Sequence, residues 1–436
     1  MRRTVLAFAL ALVGSALATL GPSTVTPATG AALPSCSSST WLSAWYAAPG
    51  DAVLSQPPLE QTFRIQVRPL AKGGVARYRF SNRFGTGPVT FGHVTVGVQR
   101  AGAAITPGTL HAVTFGGTAR VTVPRGADVV SDPVRMSFAR FQKLLVSVHV
   151  VGFPGPATQH GIAEQTTWQT APLSGDHTSN LTGSGFVPLP LLKTAPTLPQ
   201  SIPYLTGVDV LAPRSTGAVV TMGDSITDGT EAEVLPFVLS ADNIDRFVSY
   251  PDQLANRIAA AGLPFSVANA AISGNMLLTN AVVPIFGPSG LSRFGRDALD
   301  RSGATTVILL EGINDIGQTY ASRDALVAGY TKVITAAHER GMRILLGTLT
   351  PMAGTLQPPA YGPLGEPTRL AVNTWIRSQK LSDGVIDFDK AVRDPAQPSR
   401  ILPAYDGGDH LHFSAAGYKA MAAAVPLSQL KRPVCS

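Results

Sequence analysis

Five residues in the second half of this 436-residue chain have the types and placement that acyl-transfer chemistry requires: Ser225, Gly274, Asn314, Asp409 and His412. A hydroxyl nucleophile needs a base to take its proton, a group to orient the base, and N–H donors for the oxyanion that forms. Ser225 lies in Gly223-Asp-Ser-Ile226, directly after the short apolar run 218–222, which reads as a buried strand stopped by Gly223. A serine there stands at the carboxyl end of a strand, where open α/β sheets place their ligands. It also stands near the start of the next helix, so backbone N–H groups face the reacting atoms. The plainer role for such a serine is a helix cap.

The base must be a histidine, and this half holds His338, His410 and His412. His338 falls in the polar end of a helix, where solvent suits it. Asp409 and His412, three apart in a tight loop, suit a carboxylate that holds an imidazole N–H and fixes its tautomer. The same residues also fit an ordinary surface loop. Gly274 offers a backbone N–H with no side chain to block approach. Asn314 offers an amide at a strand end, where asparagine otherwise forms turns. Asp409, His410 and His412 also admit a zinc-ligand reading. Histidines two apart in an extended loop point to opposite sides, and no further ligand is evident, so no metal or cofactor is expected.

These residues need a frame, and the pattern from Val208 onward supplies strands alternating with helices, the mark of a parallel sheet. Strands are expected at 218–222, 265–268, 305–310, 343–349 and 385–388. Pro251 opens a helix, Ser322 caps a long one that ends at Gly341, and Ser414 caps an alanine-rich terminal one. The strand ends at 223, 269, 311 and 350 fall on one edge of such a sheet. An insert at 230–247 and the stretch 276–286 are apolar enough for an acyl chain, a lid or core.

The first half reads differently. Segments such as 62–68 and 75–80 alternate apolar and polar residues, and Gly/Pro turns separate them, as in an all-β sandwich or jelly roll. Its histidines lack metal-type spacing, and Trp41, Trp45 and Trp168 suit a core or a sugar-stacking platform. Residues 183–204 read as a linker or last crossover. The expected organisation is a leader at 1–32, a β domain at 36–204 and a catalytic domain at 205–436.

Composition is that of a globular protein, 44% hydrophobic and 14% charged, with 43 Gly and 35 Pro. The formal net charge of +7 includes Arg2 and Arg3, and no basic cluster supports nucleic-acid binding. The basic start followed by an apolar core from Thr4 to Leu20 has the shape of a secretory signal. No run is long enough for a mature membrane anchor. Cys36 and Cys435, the two cysteines, read as one disulfide in an exported protein.

The blocks Gly223-Asp-Ser-Ile226, Gly274, Gly312-Ile-Asn-Asp315 and Asp409-x-x-His412 stand in the order found in the SGNH, or GDSL, hydrolase superfamily. The chain resembles secreted actinobacterial members that carry a β-rich N-terminal half. The resemblance implies a three-layer, flavodoxin-like α/β hydrolase domain. It further implies Ser225 as nucleophile, His412 as base and Asp409 as orienting acid. The N–H groups of Ser225 and Gly274 and the Asn314 amide would form the oxyanion hole, with Asp224 and Asp315 structural. Ala271 and Phe413 depart from residues common in the family. A secreted esterase acting on small-molecule, polysaccharide or lipid esters is therefore expected. The alternative is a carbohydrate-binding protein that uses the hydrolase fold as a scaffold.

Overall fold

A computed structural model describes residues 35–52, 57–192, 195–230, 233–235, 238–239, 244–355, 357 and 361–435. The expected leader and part of the insert 230–247 lie outside the described residues.

In the second half, five strands pair in parallel in the order Phe265–Asn269, Gly217–Gly223, Ala304–Leu310, Arg343–Gly347, Gly384–Ile386. The strand Gly217–Gly223 is buried along its whole length, as its unbroken apolar sequence requires of a central strand covered on both faces. The order reverses between Gly217–Gly223 and Ala304–Leu310, and the crevice beyond their carboxyl ends is where doubly wound sheets bind ligands. Helices pack in two groups. Tyr250–Ala260 meets Ala415–Ala424, while Arg323–Glu339 meets Glu366–Ser378 and Gly290–Phe294. The expected caps are in place: Ser322 Oγ accepts from the Ala325 N–H at 3.2 Å, and Ser414 Oγ from the Gly417 N–H.

The first half is β-rich and antiparallel. One sheet runs Ser39–Tyr46, Leu205–Pro213, Gly73–Ser81 and Asp128–Val130. A second runs Val187–Pro188, Thr167–Gln169, Gln61–Val67, Leu144–Val151 and Val89–Ala101. Alternation puts Val134, Met136 and Phe138 inward. Phe80, Phe91 and Tyr204 fill the core with ring centroids 5.4 and 5.2 Å apart. Trp45 and Trp168 are buried.

Two segments differ from expectation. The stretch 183–204 is not a plain linker, because Ala195–Pro203 pairs with both Gln159–Ala163 and Pro190–Leu192. The β-rich sheet also extends past residue 204, since Leu205–Pro213 lies between Ser39–Tyr46 and Gly73–Ser81. Its partners are more than a hundred positions away in sequence, which local pattern cannot reveal.

The halves are joined by buried polar contacts. Asp209 accepts from Arg77 Nε and Arg79 Nε, each at 2.9 Å, and from Ser302 Oγ at 2.9 Å. The Tyr46 hydroxyl donates to Asp297 at 2.6 Å. A disulfide links Cys36 to Cys435 across 399 positions. Among the described residues, no helix is long and apolar enough to cross a membrane.

Candidate active site

Gly223 ends the central strand in a space that only glycine fits. A Cβ there would overlap the Thr227 side chain and the Leu310 carbonyl. Asp224 then caps the short helix Ser225–Asp228 by accepting from the Ile226 N–H at 3.0 Å. Burial pushes the Asp224 carboxyl up to about 7, against the pull of that N–H and of His412. Ser225 is thereby fixed at the carboxyl edge of the sheet, only 9% exposed.

The loop before the terminal helix brings the other two groups to the same place. His412 Nε2 lies 2.8 Å from Ser225 Oγ, and His412 Nδ1 lies 2.6 Å from Asp409 Oδ2. Asp409 Oδ1 also accepts from the N–H groups of Leu411, at 3.0 Å, and His412, at 2.8 Å. Burial raises the Asp409 pKa, but the His412 charge and these N–H groups outweigh it, so the carboxyl stays well below its usual range. An ionised carboxylate beside Nδ1 holds the proton there and leaves Nε2 to accept from the serine.

Gly274 adopts φ +75°, and a Cβ on it would lie within the Phe286 ring. Asn314 Nδ2 donates to the Asn275 carbonyl at 2.9 Å, placing this amide beside the Gly274 turn. Asp315 accepts from the N–H groups of Leu277 and Leu278 at 2.7 and 2.8 Å, tying the end of one strand to the loop after another. His410 does not join this group: its Nδ1 pairs with Asp406 Oδ2. His338 pairs with Asp383 at 2.9 Å on an exposed face.

Two residues beside these escaped sequence reasoning. Tyr361 donates its hydroxyl to Asn314 Oδ1 at 2.8 Å. Arg293, fully buried, donates to the Gly223 carbonyl at 3.1 Å, to the Ala270 carbonyl, and to Asn275 Oδ1 at 2.9 Å. One guanidinium thus fastens the ends of two strands and the turn beside Gly274. Asp297, ionised, balances its charge at 3.4 Å, and Glu311 lies 3.6 Å away.

Residues 221–420 match the model of the GDSL-like lipase/acylhydrolase family. No curated protein matches the chain. Among solved structures, an aryl esterase from M. smegmatis is similar at 18% identity and TM-score 0.39, covering 48% of this chain and 96% of its own. A carbohydrate acetylesterase from Sinorhizobium meliloti is similar at 15% identity and TM-score 0.40, with coverage of 48% and 96%. A family two carbohydrate esterase from Clostridium thermocellum, in complex with cellohexaose, is similar at 15% identity and TM-score 0.35, covering 87% of this chain and 95% of its own. Residues 221–420 thus match a GDSL-like lipase/acylhydrolase domain, and the chain is a carboxylic ester hydrolase.

Proposed function

We propose that this hydrolase cleaves carboxylic esters through Ser225, His412 and Asp409, with an oxyanion hole made of the Ser225 and Gly274 N–H groups and the Asn314 amide. The observation that carries the proposal is the unbroken chain Ser225 Oγ, His412 and Asp409, with links of 2.8 and 2.6 Å. In the first step Ser225 Oγ bonds to the ester carbonyl carbon while its proton passes to His412 Nε2. The carbonyl oxygen becomes an oxyanion facing the three N–H donors. Collapse expels the alcohol, which takes the proton from Nε2, and leaves an acyl-serine. Water then attacks, giving its proton to Nε2, and the acid leaves as the proton returns to Ser225. Asp409 stays ionised throughout and stabilises the imidazolium.

In this proposal the catalytic half is a three-layer, flavodoxin-like domain, and the β-rich half is a jelly-roll type sandwich. The apolar leader and the Cys36–Cys435 disulfide support an exported protein. Hydrolysis of p-nitrophenyl esters from acetate to palmitate, beside an acetylated xylan, tests the reaction and ranks the acyl chains. Turnover that Ser225→Ala removes is expected. Wild-type turnover in that variant contradicts the proposal.

A further inference from the structure

His160 belongs to the strand Gln159–Ala163 of the β-rich half, yet its ring is buried against the catalytic half. Its Nδ1 lies 2.9 Å from the Ala48 carbonyl, which can only accept, so Nδ1 carries a proton. Its Nε2 lies 3.3 Å from Asp228 Oδ1, a second acceptor. With an acceptor at each nitrogen the ring is an imidazolium, and the contact with Asp228 is an ion pair.

Asp228 closes the helix that begins at Ser225. Its other oxygen accepts from the Ser273 N–H at 3.1 Å and from Ser273 Oγ at 2.8 Å. Ser273 immediately precedes Gly274, and Thr230 Oγ1 lies 3.2 Å from its hydroxyl. One carboxylate therefore spans the two backbone segments that carry Ser225 and Gly274. A second contact reaches the same loop. Gly161 of the β-rich half leaves room for Ile285: a Cβ on it would stand 2.6 Å from the Ile285 Cγ1. Ile285 precedes Phe286, whose ring lies against Gly274.

We propose that the β-rich half holds the oxyanion loop in its working position through the buried strut His160–Asp228–Ser273, with His160 as a positioning residue. The inference rests on the ester-hydrolase mechanism above. It gives the β-rich half a part in catalysis that does not require it to bind substrate. Removing the imidazolium charge frees Asp228 and lets the Ser273–Gly274 peptide drift from the Ser225 helix. A displacement of about 1 Å in such a group costs up to roughly a hundredfold in rate.

The strut is sensitive to pH. Burial lowers the His160 pKa, but Asp228 and the Ala48 carbonyl raise it by more, while Arg293 opposes them. Glu164 and the Arg68–Asp252 pair line the same cleft between the halves. The net pKa is raised, so the charged form is present at low and neutral pH and is lost as pH rises through the folded value. The strut fails on the alkaline side, opposite to the acid limb that His412 imposes as a base.

The test is kcat and KM for p-nitrophenyl acetate across pH, for wild type, His160→Gln, Ser273→Ala and the double variant. His160→Gln should lower kcat by roughly tenfold to a hundredfold with KM held within about twofold, and should lose the alkaline limb of kcat while keeping the acid limb. Ser273→Ala should act in the same direction. The double variant should lose less than the product of the single losses, because both cut one strut. Wild-type kcat in His160→Gln, an unchanged pH profile, or independent losses overturns the inference. If His160→Gln does not fold, Ser273→Ala decides, and unchanged kcat there overturns it. Ser225→Ala in the same assay separates the two claims: activity persisting there overturns the mechanism as well.

Discussion

The Tyr361 hydroxyl donates to Asn314 Oδ1 at 2.8 Å, while Asn314 Nδ2 donates to the Asn275 carbonyl at 2.9 Å. A side-chain amide has two N–H donors, so with one engaged by Asn275 the second remains for an oxyanion. Tyr361 fixes which end of the amide is the donor. Asn314→Ala should lower kcat by about 10²–10³ and change KM little, because the developing charge exists only in the transition state. Tyr361→Phe should lower kcat by roughly fivefold to tenfold, the worth of one neutral hydrogen bond. Steady-state kinetics separates the two parameters, and a pure KM effect in either variant contradicts this assignment.

The two residues of that pair were not equally visible in the sequence. Asn314 follows an unbroken apolar strand and stands in Gly312-Ile-Asn-Asp315, so pattern and motif both mark it. Tyr361 sits in a Pro/Gly-rich loop, and its contact spans 47 positions. Arg293 and His160 are hidden for the same reason: a polar residue in a short helix or a strand reads as exposed until distant carbonyls and carboxylates enclose it. The parallel strands and their caps were legible because hydrophobic period and turn chemistry are local. The place of Leu205–Pro213 in the β-rich sheet was not, because strand pairing is decided by long-range contacts.

Glu311, buried beside Arg293, has no hydrogen-bond partner for either carboxyl oxygen among the described residues. Burial pushes its pKa from 4.5 up to about 8; Arg293 opposes the rise, and Asp224 and Asp315 add to it. The folded protein thus keeps a proton that the unfolded chain releases above about 4.5. The group's stabilising contribution is full below that pH and is lost as pH rises towards about 8. Glu311→Gln should flatten the dependence of Tm on pH between these limits and raise Tm relative to wild type near the upper one. Thermal melts at a series of pH values check this, and parallel curves for the two proteins contradict it.

Reduction of the Cys36–Cys435 bond should lower Tm without abolishing activity at temperatures below the melt. The bond closes a loop of 399 positions. In the chain-entropy model such a loop stabilises by up to roughly 6 kcal/mol. The double Cys→Ser variant should behave like the reduced protein. An unchanged Tm in both, or loss of turnover at 25 °C in a folded variant, contradicts the expectation.

Chelation should leave turnover intact, since the proposed steps use only side chains and backbone N–H groups. His410, paired with Asp406, should be dispensable, with His410→Ala keeping kcat within about threefold of wild type, the usual tolerance for a residue outside the reacting group. Loss of activity in EDTA, restored by zinc alone, contradicts the serine mechanism.

The most direct test of that mechanism is covalent labelling with a serine-directed organophosphate, read by peptide mass spectrometry. Ser225 should carry a single adduct, formed in step with the loss of esterase activity. His412→Ala should slow labelling by orders of magnitude, because Nε2, 2.8 Å from the hydroxyl, no longer takes its proton. Full inactivation with Ser225 unmodified, or an adduct on another serine that alone accounts for the lost activity, contradicts the account.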